Sequence, residues 1–154
     1  DYNENLIENS LKFYSDSNED FFSIEAKIYE DLKPGVHSVN AKTGELLWSK
    51  INPNNCGDIE FCDPGVSAAL TAIPGAVIAG HQDGKIRVYD KKDGEILWSF
   101  NALREFESVS GVPASGGGFS GPGSAIRNGY MAMNSGYGIY YHMPGNALLL
   151  FSVE

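Results

Sequence analysis

Val36-His37-Ser38-Val39-Asn40-Ala41-Lys42-Thr43-Gly44-Glu45-Leu46-Leu47-Trp48-Ser49 returns fifty residues later as Ile86-Arg87-Val88-Tyr89-Asp90-Lys91-Lys92-Asp93-Gly94-Glu95-Ile96-Leu97-Trp98-Ser99. Lys, Gly, Glu, Leu, Trp and Ser fall at matching places, and Val/Ile, Asn/Asp and Leu/Ile are near-matches. A fixed repeat of this length is the mark of a repeat architecture. Each copy reads as strand, turn, strand. Asn40 or Asp90 caps the turn, and Gly44 or Gly94 supplies the positive φ that an L-residue resists. Trp48 and Trp98 then ride on the returning strands as large apolar plates, explained by sheet-to-sheet packing.

Working outward, Ser67–Ile73 reads as a strand ending at Pro74-Gly75, and Ala76–Gly80 as a second, ending at the Asp83-Gly84 turn. Residues 67–99 are thus four short antiparallel strands, one blade of a β-propeller. A looser third unit follows in Ser124–Gly129, Tyr130–Ser135 and Asn146–Val153, one strand short of a blade. Before Val36 only Leu11–Ser15 looks like a strand. The expected fold is therefore all-β, a partial β-propeller of two and a half to three four-stranded blades, where a ring commonly closes with four to eight. Blade material lies at about 6–50, 63–101 and 112–154. The chain divides into an acidic leader with one strand (1–35), the end of the first blade with a Cys loop (36–62), a complete blade (63–111) and a last blade lacking its final strand (112–154). Such a wedge leaves apolar faces in water. Other chains, or the rest of a precursor, are expected to complete the ring, and a start on Asp1 instead of Met suits a processed or trimmed chain. A small β-sandwich with a coincidental repeat is the bland alternative.

Charge narrows the partners. Eleven Lys and Arg against twenty Asp and Glu give a net −9, which argues against nucleic acid. Residues 1–35 carry nine of those carboxylates and three Lys, net −6, so the leader reads as a solvated acidic segment. The longest apolar stretch, Ala69–Ala79, holds Pro74 and Gly75 and is too short to span a bilayer, so no membrane partner is expected. Cys56 and Cys62 have no nearby His pairing for zinc, and the segment between them is polar. They are read as a disulfide, which places the protein outside the cytosol, secreted or periplasmic.

These blades resemble the repeats of quinoprotein dehydrogenases, eight-bladed propellers that bind pyrroloquinoline quinone. Ser67–Gly75, Ala79-Gly80, Asp83-Gly84, Phe106–Ala114, Gly121-Pro122-Gly123, Asn134–Gly138 and Met143–Leu149 resemble the polyvinyl-alcohol-dehydrogenase-like branch in particular. The similarity covers roughly residues 34–154. It implies an alcohol oxidoreductase using the quinone and calcium. The branch's Lys-Gly-Gly-Ser stretch, however, reads Ser115-Gly116-Gly117-Gly118 here, so a cation that would face the quinone oxygens is missing. The family's catalytic Asp and calcium ligands match no position of this chain.

Several groups carry candidate chemistry. The glycine-rich loop Gly111–Gly123 either cradles a ligand through its amides or makes a close-packed crossing between blades; it lacks the ending of a phosphate-binding loop. Tyr137, Tyr140, Tyr141 and His142 offer stacking rings, with packing between blades as the alternative. His81-Gln82-Asp83 places a His and a carboxylate at a hairpin tip without evident partners. Asp58, Glu60 and Asp63 offer oxygen ligands for calcium, or simply a solvated loop, and no metal ligands are assigned. Two functions compete. One is a secreted binding propeller that meets a glycan or other polyhydroxy ligand through Tyr137, Tyr140, Tyr141 and His142 with Ser115, Gly116 and Gly117. The other is the quinone- and calcium-dependent oxidoreductase. Ser115 in place of Lys tilts the sequence reading toward binding, with no cofactor assured.

Overall fold

The computed structural model describes residues 33–137 and 141–153. The expected strand at Leu11–Ser15, and Tyr140, lie outside these residues. The described chain is all-β, with no helix, in small sheets that form a partial, unclosed propeller-like array. None of it is a helix long and apolar enough to cross a membrane.

Two compact units divide at Ile51 and Asn52. The first contributes the hairpin of β1 (Gly35–Val39) and β2 (Leu46–Ile51). Its turn follows the sequence: the Lys42 amide donates to Asn40 Oδ1 at 2.9 Å, and Gly44 sits at φ 72°. A register shift between Ser38 and Val39 closes the strand.

The second unit repeats that hairpin and extends it. β3 (Ser67–Ala68) is followed by β4 (Thr71–Ile73), β5 (Ala76–Gly80), β6 (Lys85–Asp90) and β7 (Ile96–Asn101). The last four form one antiparallel sheet in sequence order. The β6–β7 turn copies the first: Lys92 N–H donates to Asp90 Oδ1 at 2.7 Å, Gly94 has φ 73°, and the register shifts between Val88 and Tyr89. The repeat is therefore one of geometry, bulge included.

One expectation needs correction: Ser67–Ile73 is not a single strand. Ser67 and Ala68 pair in parallel with β10 (Ser120–Gly121), and the Ala69 amide donates to the Gly121 carbonyl at 3.0 Å. Backbone groups spent there cannot also pair with β5, so the chain steps sideways before β4 begins.

After β7 the chain makes a small hairpin of β8 (Glu105–Glu107) and β9 (Pro113–Ser115). It then enters a three-stranded sheet of β11 (Ala125–Arg127), β12 (Tyr130–Ser135) and β13 (Ala147–Ser152). Between this sheet and β4–β7 lies the core. Ile78 and Ile86 meet Phe119, Met133 and Leu149, with Val88, Phe100, Met131 and Phe151 packed around them. Burying each large side chain contributes roughly 1.5–3 kcal/mol. Gly80 permits the close approach, since a Cβ there would stand 2.6 Å from Phe119 Cβ. Trp98 serves the same interface, with its ring 5.4 Å from Phe151 in an edge-on contact. It remains partly exposed.

Candidate functional site

Antiparallel pairing puts the β5–β6 loop, the end of β7 and the β12–β13 loop at one end of the two sheets. Backbone bonds join these loops: Phe119 N–H donates to His81 O, Gly118 N–H to Met143 O, and Gly136 N–H to Gly118 O. A cleft of about 400 Å³ opens at this end. Ser115 and Gly116 line it, together with Glu60, Arg104, Glu105 and the apolar Ile59, Leu103, Met143 and Pro144.

Arg104 is the residue that sequence reasoning missed. Its guanidinium lies 5.0 Å from the Phe100 ring centroid and 4.9 Å from that of Phe106. Two aromatic faces hold the cation in one place. The signal was available in sequence: a lone Arg between two Phe, just after the repeated outer strand.

The four amides from Ser115 to Gly118 all have protein acceptors. Ser115 N–H donates to Asn146 Oδ1 at 2.7 Å, Gly116 to Arg104 O at 3.1 Å, Gly117 to Ser135 Oγ at 3.0 Å and Gly118 to Met143 O at 3.0 Å. These amides are therefore spent within the protein, which agrees with the close-packed crossing and not with an amide cradle, the two readings the sequence left open. A side chain at Gly116 would run into the Ala102 carbonyl, and one at Gly117 into the carbonyls of Met143 and Pro144. Close packing explains these glycines.

The aromatic residues are dispersed. The Tyr137 hydroxyl donates to Asn146 O at 2.9 Å. Tyr141, at φ 62° and largely exposed, stacks on Phe61 with centroids 6.0 Å apart. His142 turns to Gln82, whose Nε2 lies 2.9 Å from His142 Nε2. The amide N–H donates to the imidazole Nε2. Its buried Nδ1 has no hydrogen-bond partner.

His81 and Asp83 stand in the loop of the β5–β6 hairpin, as the sequence suggests, and both are buried there. Asn52 Nδ2 donates to Pro64 O and meets His81 Nδ1 at 2.8 Å, while His81 Nε2 meets the Tyr89 hydroxyl at 3.0 Å. Burial first, then the Arg87 charge, lowers the His81 pKa to about 4. Burial likewise pushes Tyr89 up to about 12. Asp83 and Arg87 form a buried ion pair at 2.6 Å. These buried groups hold the loop end together through one another.

Cys56 and Cys62 form a disulfide, with Cα atoms 5.5 Å apart. Asp58, Glu60 and Asp63 do not converge: among the described residues no three His, Cys, Asp or Glu stand close enough to hold a metal ion. Nor do the residues at Ser115–Gly118 fit a carboxylate-bearing quinone. Their amides are committed, position 115 carries no charge, and two carboxylate residues, Glu60 and Glu105, line the cleft beside them.

The chain is 41% identical over 103 residues to a polyvinylalcohol dehydrogenase of a Pseudomonas species, which covers 61% of this chain and 16% of that protein. It is 32% identical over 130 residues to the polyvinylalcohol dehydrogenase of Sphingopyxis sp. strain 113P3, covering 73% of this chain and 19% of that protein. The chain thus spans less than a fifth of the length of these relatives. No family model matches it.

Proposed function

We propose that this chain supplies blades to an oxidoreductase that acts on the hydroxyl groups of an alcohol. The supporting observation is the similarity to two polyvinylalcohol dehydrogenases, which covers 61% and 73% of this chain. It favours this reading over the glycan-binding one, which has no observation of its own. Pyrroloquinoline quinone and calcium belong to the proposal as cofactors held by the whole propeller, away from Ser115–Gly118. The disulfide agrees with an oxidising compartment, periplasmic or extracellular.

Within this chain, the cleft at Arg104 suits a neutral hydroxylated chain better than an ion. Glu60 and Glu105 oppose an anion, and Arg104 offsets one of the two carboxylates against a cation. A hydroxyl both donates to carboxylates and accepts from a guanidinium, while Ile59, Leu103 and Met143 meet its carbon backbone. Dye reduction by the assembled protein, given quinone and calcium, tests the reading. Turnover of secondary alcohols that stops on chelation of calcium is expected. Absence of quinone-dependent turnover with any alcohol refutes it.

A further inference from the structure

Among the described residues, three that are not glycine hold a positive φ: Phe61 at 60°, Asn128 at 49° and Tyr141 at 62°. Asn128 is explained by its place, since Asn128-Gly129 is the two-residue turn between β11 and β12. Phe61 and Tyr141 are bulky, and the left-handed region is strained for such side chains. Neither ring is buried in return: Phe61 is 42% exposed and Tyr141 85%. What the two conformations achieve is a stacked pair, with centroids 6.0 Å apart and planes at 28°. Strain held at two exposed residues, with little burial to offset it, is a mark of a functional surface.

The same chain shows what such a pair takes. Phe100 and Phe106 stack with centroids 6.4 Å apart and planes at 23°, close to the geometry of Phe61 and Tyr141. The Arg104 guanidinium lies over both of those rings, at 5.0 and 4.9 Å. Among the described residues no Lys or Arg lies over Phe61 or Tyr141. Asp58, Glu60 and Asp63 bracket Phe61 in sequence, and among the described residues none of them pairs with a cation. The two loops are also held in place. The Cys56–Cys62 bridge closes the loop at Phe61, Gln82 N–H donates to Gly65 O, and the Gln82 side chain meets His142 beside Tyr141. Rings fixed before a ligand arrives lose little freedom when it binds.

We infer that Phe61 and Tyr141 form a recognition site for a guanidinium group, presented as an arginine side chain by a partner protein. Guanidinium suits the site better than ammonium, because it is planar, weakly hydrated and stacks on aromatic faces. The chain's net charge of −9 draws a basic partner toward it. This inference is independent of the alcohol chemistry above, and neither the quinone nor an alcohol is needed to test it.

The test is a titration of the full chain with the peptide acetyl-Gly-Arg-Gly-amide, followed by backbone amide chemical shifts. Shifts at Phe61, Cys62, Tyr141 and His142 are expected. The same peptide with citrulline, uncharged and of nearly the same shape, should bind at least about fivefold more weakly. Tyr141→Leu and Phe61→Leu should each weaken arginine binding by a similar factor. Tyr130→Leu, which removes an exposed ring on β12, should leave it unchanged. Tyr141 lies almost wholly in solvent, so its variant should keep the wild-type denaturation midpoint, and lost binding is then not lost folding. No shift at these four residues, or equal binding of the citrulline peptide, overturns the inference. A lysine peptide that binds as tightly overturns the guanidinium assignment, and undiminished binding by Tyr141→Leu overturns the site.

Discussion

The Tyr89 hydroxyl and His81 Nε2 meet at 3.0 Å in a place that solvent does not reach, and Asn52 holds the imidazole from its other side. Both rings are kept neutral by burial. Their titration is therefore tied to folding.

The sign for His81 follows from its lowered pKa. Unfolded, the imidazole takes a proton near 6.5; folded, only near 4. The unfolded chain thus binds more protons between these values, and stability falls as pH falls through that window. Above about 6.5 the loss is absent, and below about 4 it is complete, amounting to about 3 kcal/mol. Urea denaturation at pH 7.0, 6.0 and 5.0, above the range of ordinary carboxylates, measures it. His81→Gln should flatten the dependence, and an unchanged slope in that variant would show that another group is responsible.

Asp83 and Arg87 make a different demand. Both are buried, and the guanidinium reaches both carboxylate oxygens, at 2.6 and 3.3 Å. Asp83→Asn leaves the Arg87 charge buried without its counter-ion and should cost roughly 3–5 kcal/mol. A double-mutant cycle with Arg87→Met checks the coupling. If the single substitution shifts stability by less than about 1 kcal/mol, the pair behaves as an exposed one.

The Cys56–Cys62 bridge closes a short loop in which Ile59 N–H donates to Cys56 O. Chain entropy assigns such a loop on the order of 2–2.5 kcal/mol. Reduction should lower the denaturation midpoint accordingly, with two thiols alkylated per chain by intact mass only after reductant. Alkylation of both thiols in the untreated protein would remove the bridge from the argument.

Much of the fold was legible because it is written in local chemistry. Asn40 and Asp90 cap their turns through their own side chains, and Gly44 and Gly94 take the positive φ that the repeat requires. The split of Ser67–Ile73 was not legible, since it depends on β10, some fifty residues away. The same limit hid the loop end. His81 and Asp83 read as a hairpin tip without evident partners, and the partners of His81, Asn52 and the Phe119 amide, lie far away in sequence. Ser115–Gly118 read either as a cradle of amides or as a close-packed crossing, and the sequence could not choose, because three of the four acceptors, Asn146, Ser135 and Met143, come from β12 and the loop that follows it.

Ser135 gives the sharpest test of that crossing. Its hydroxyl is fully buried, accepts from Gly117 N–H at 3.0 Å and donates to Gly117 O at 2.9 Å. Replacing it with Ala strands a buried donor and a buried acceptor together, and each unsatisfied group costs about 1–3 kcal/mol. Ser135→Ala should therefore destabilise by at least about 2 kcal/mol, more than removal of a single hydrogen bond explains. Ser135→Cys, close in size and a weaker partner, should fall between the two. Hydrogen exchange adds the local readout. The Gly117 amide should lose protection in the Ala variant, while the Gly118 amide, whose acceptor Met143 O is untouched, should keep more of its own. Equal loss at both amides with no change in global stability would mean that the loop opens as a unit and that Ser135 does not anchor it.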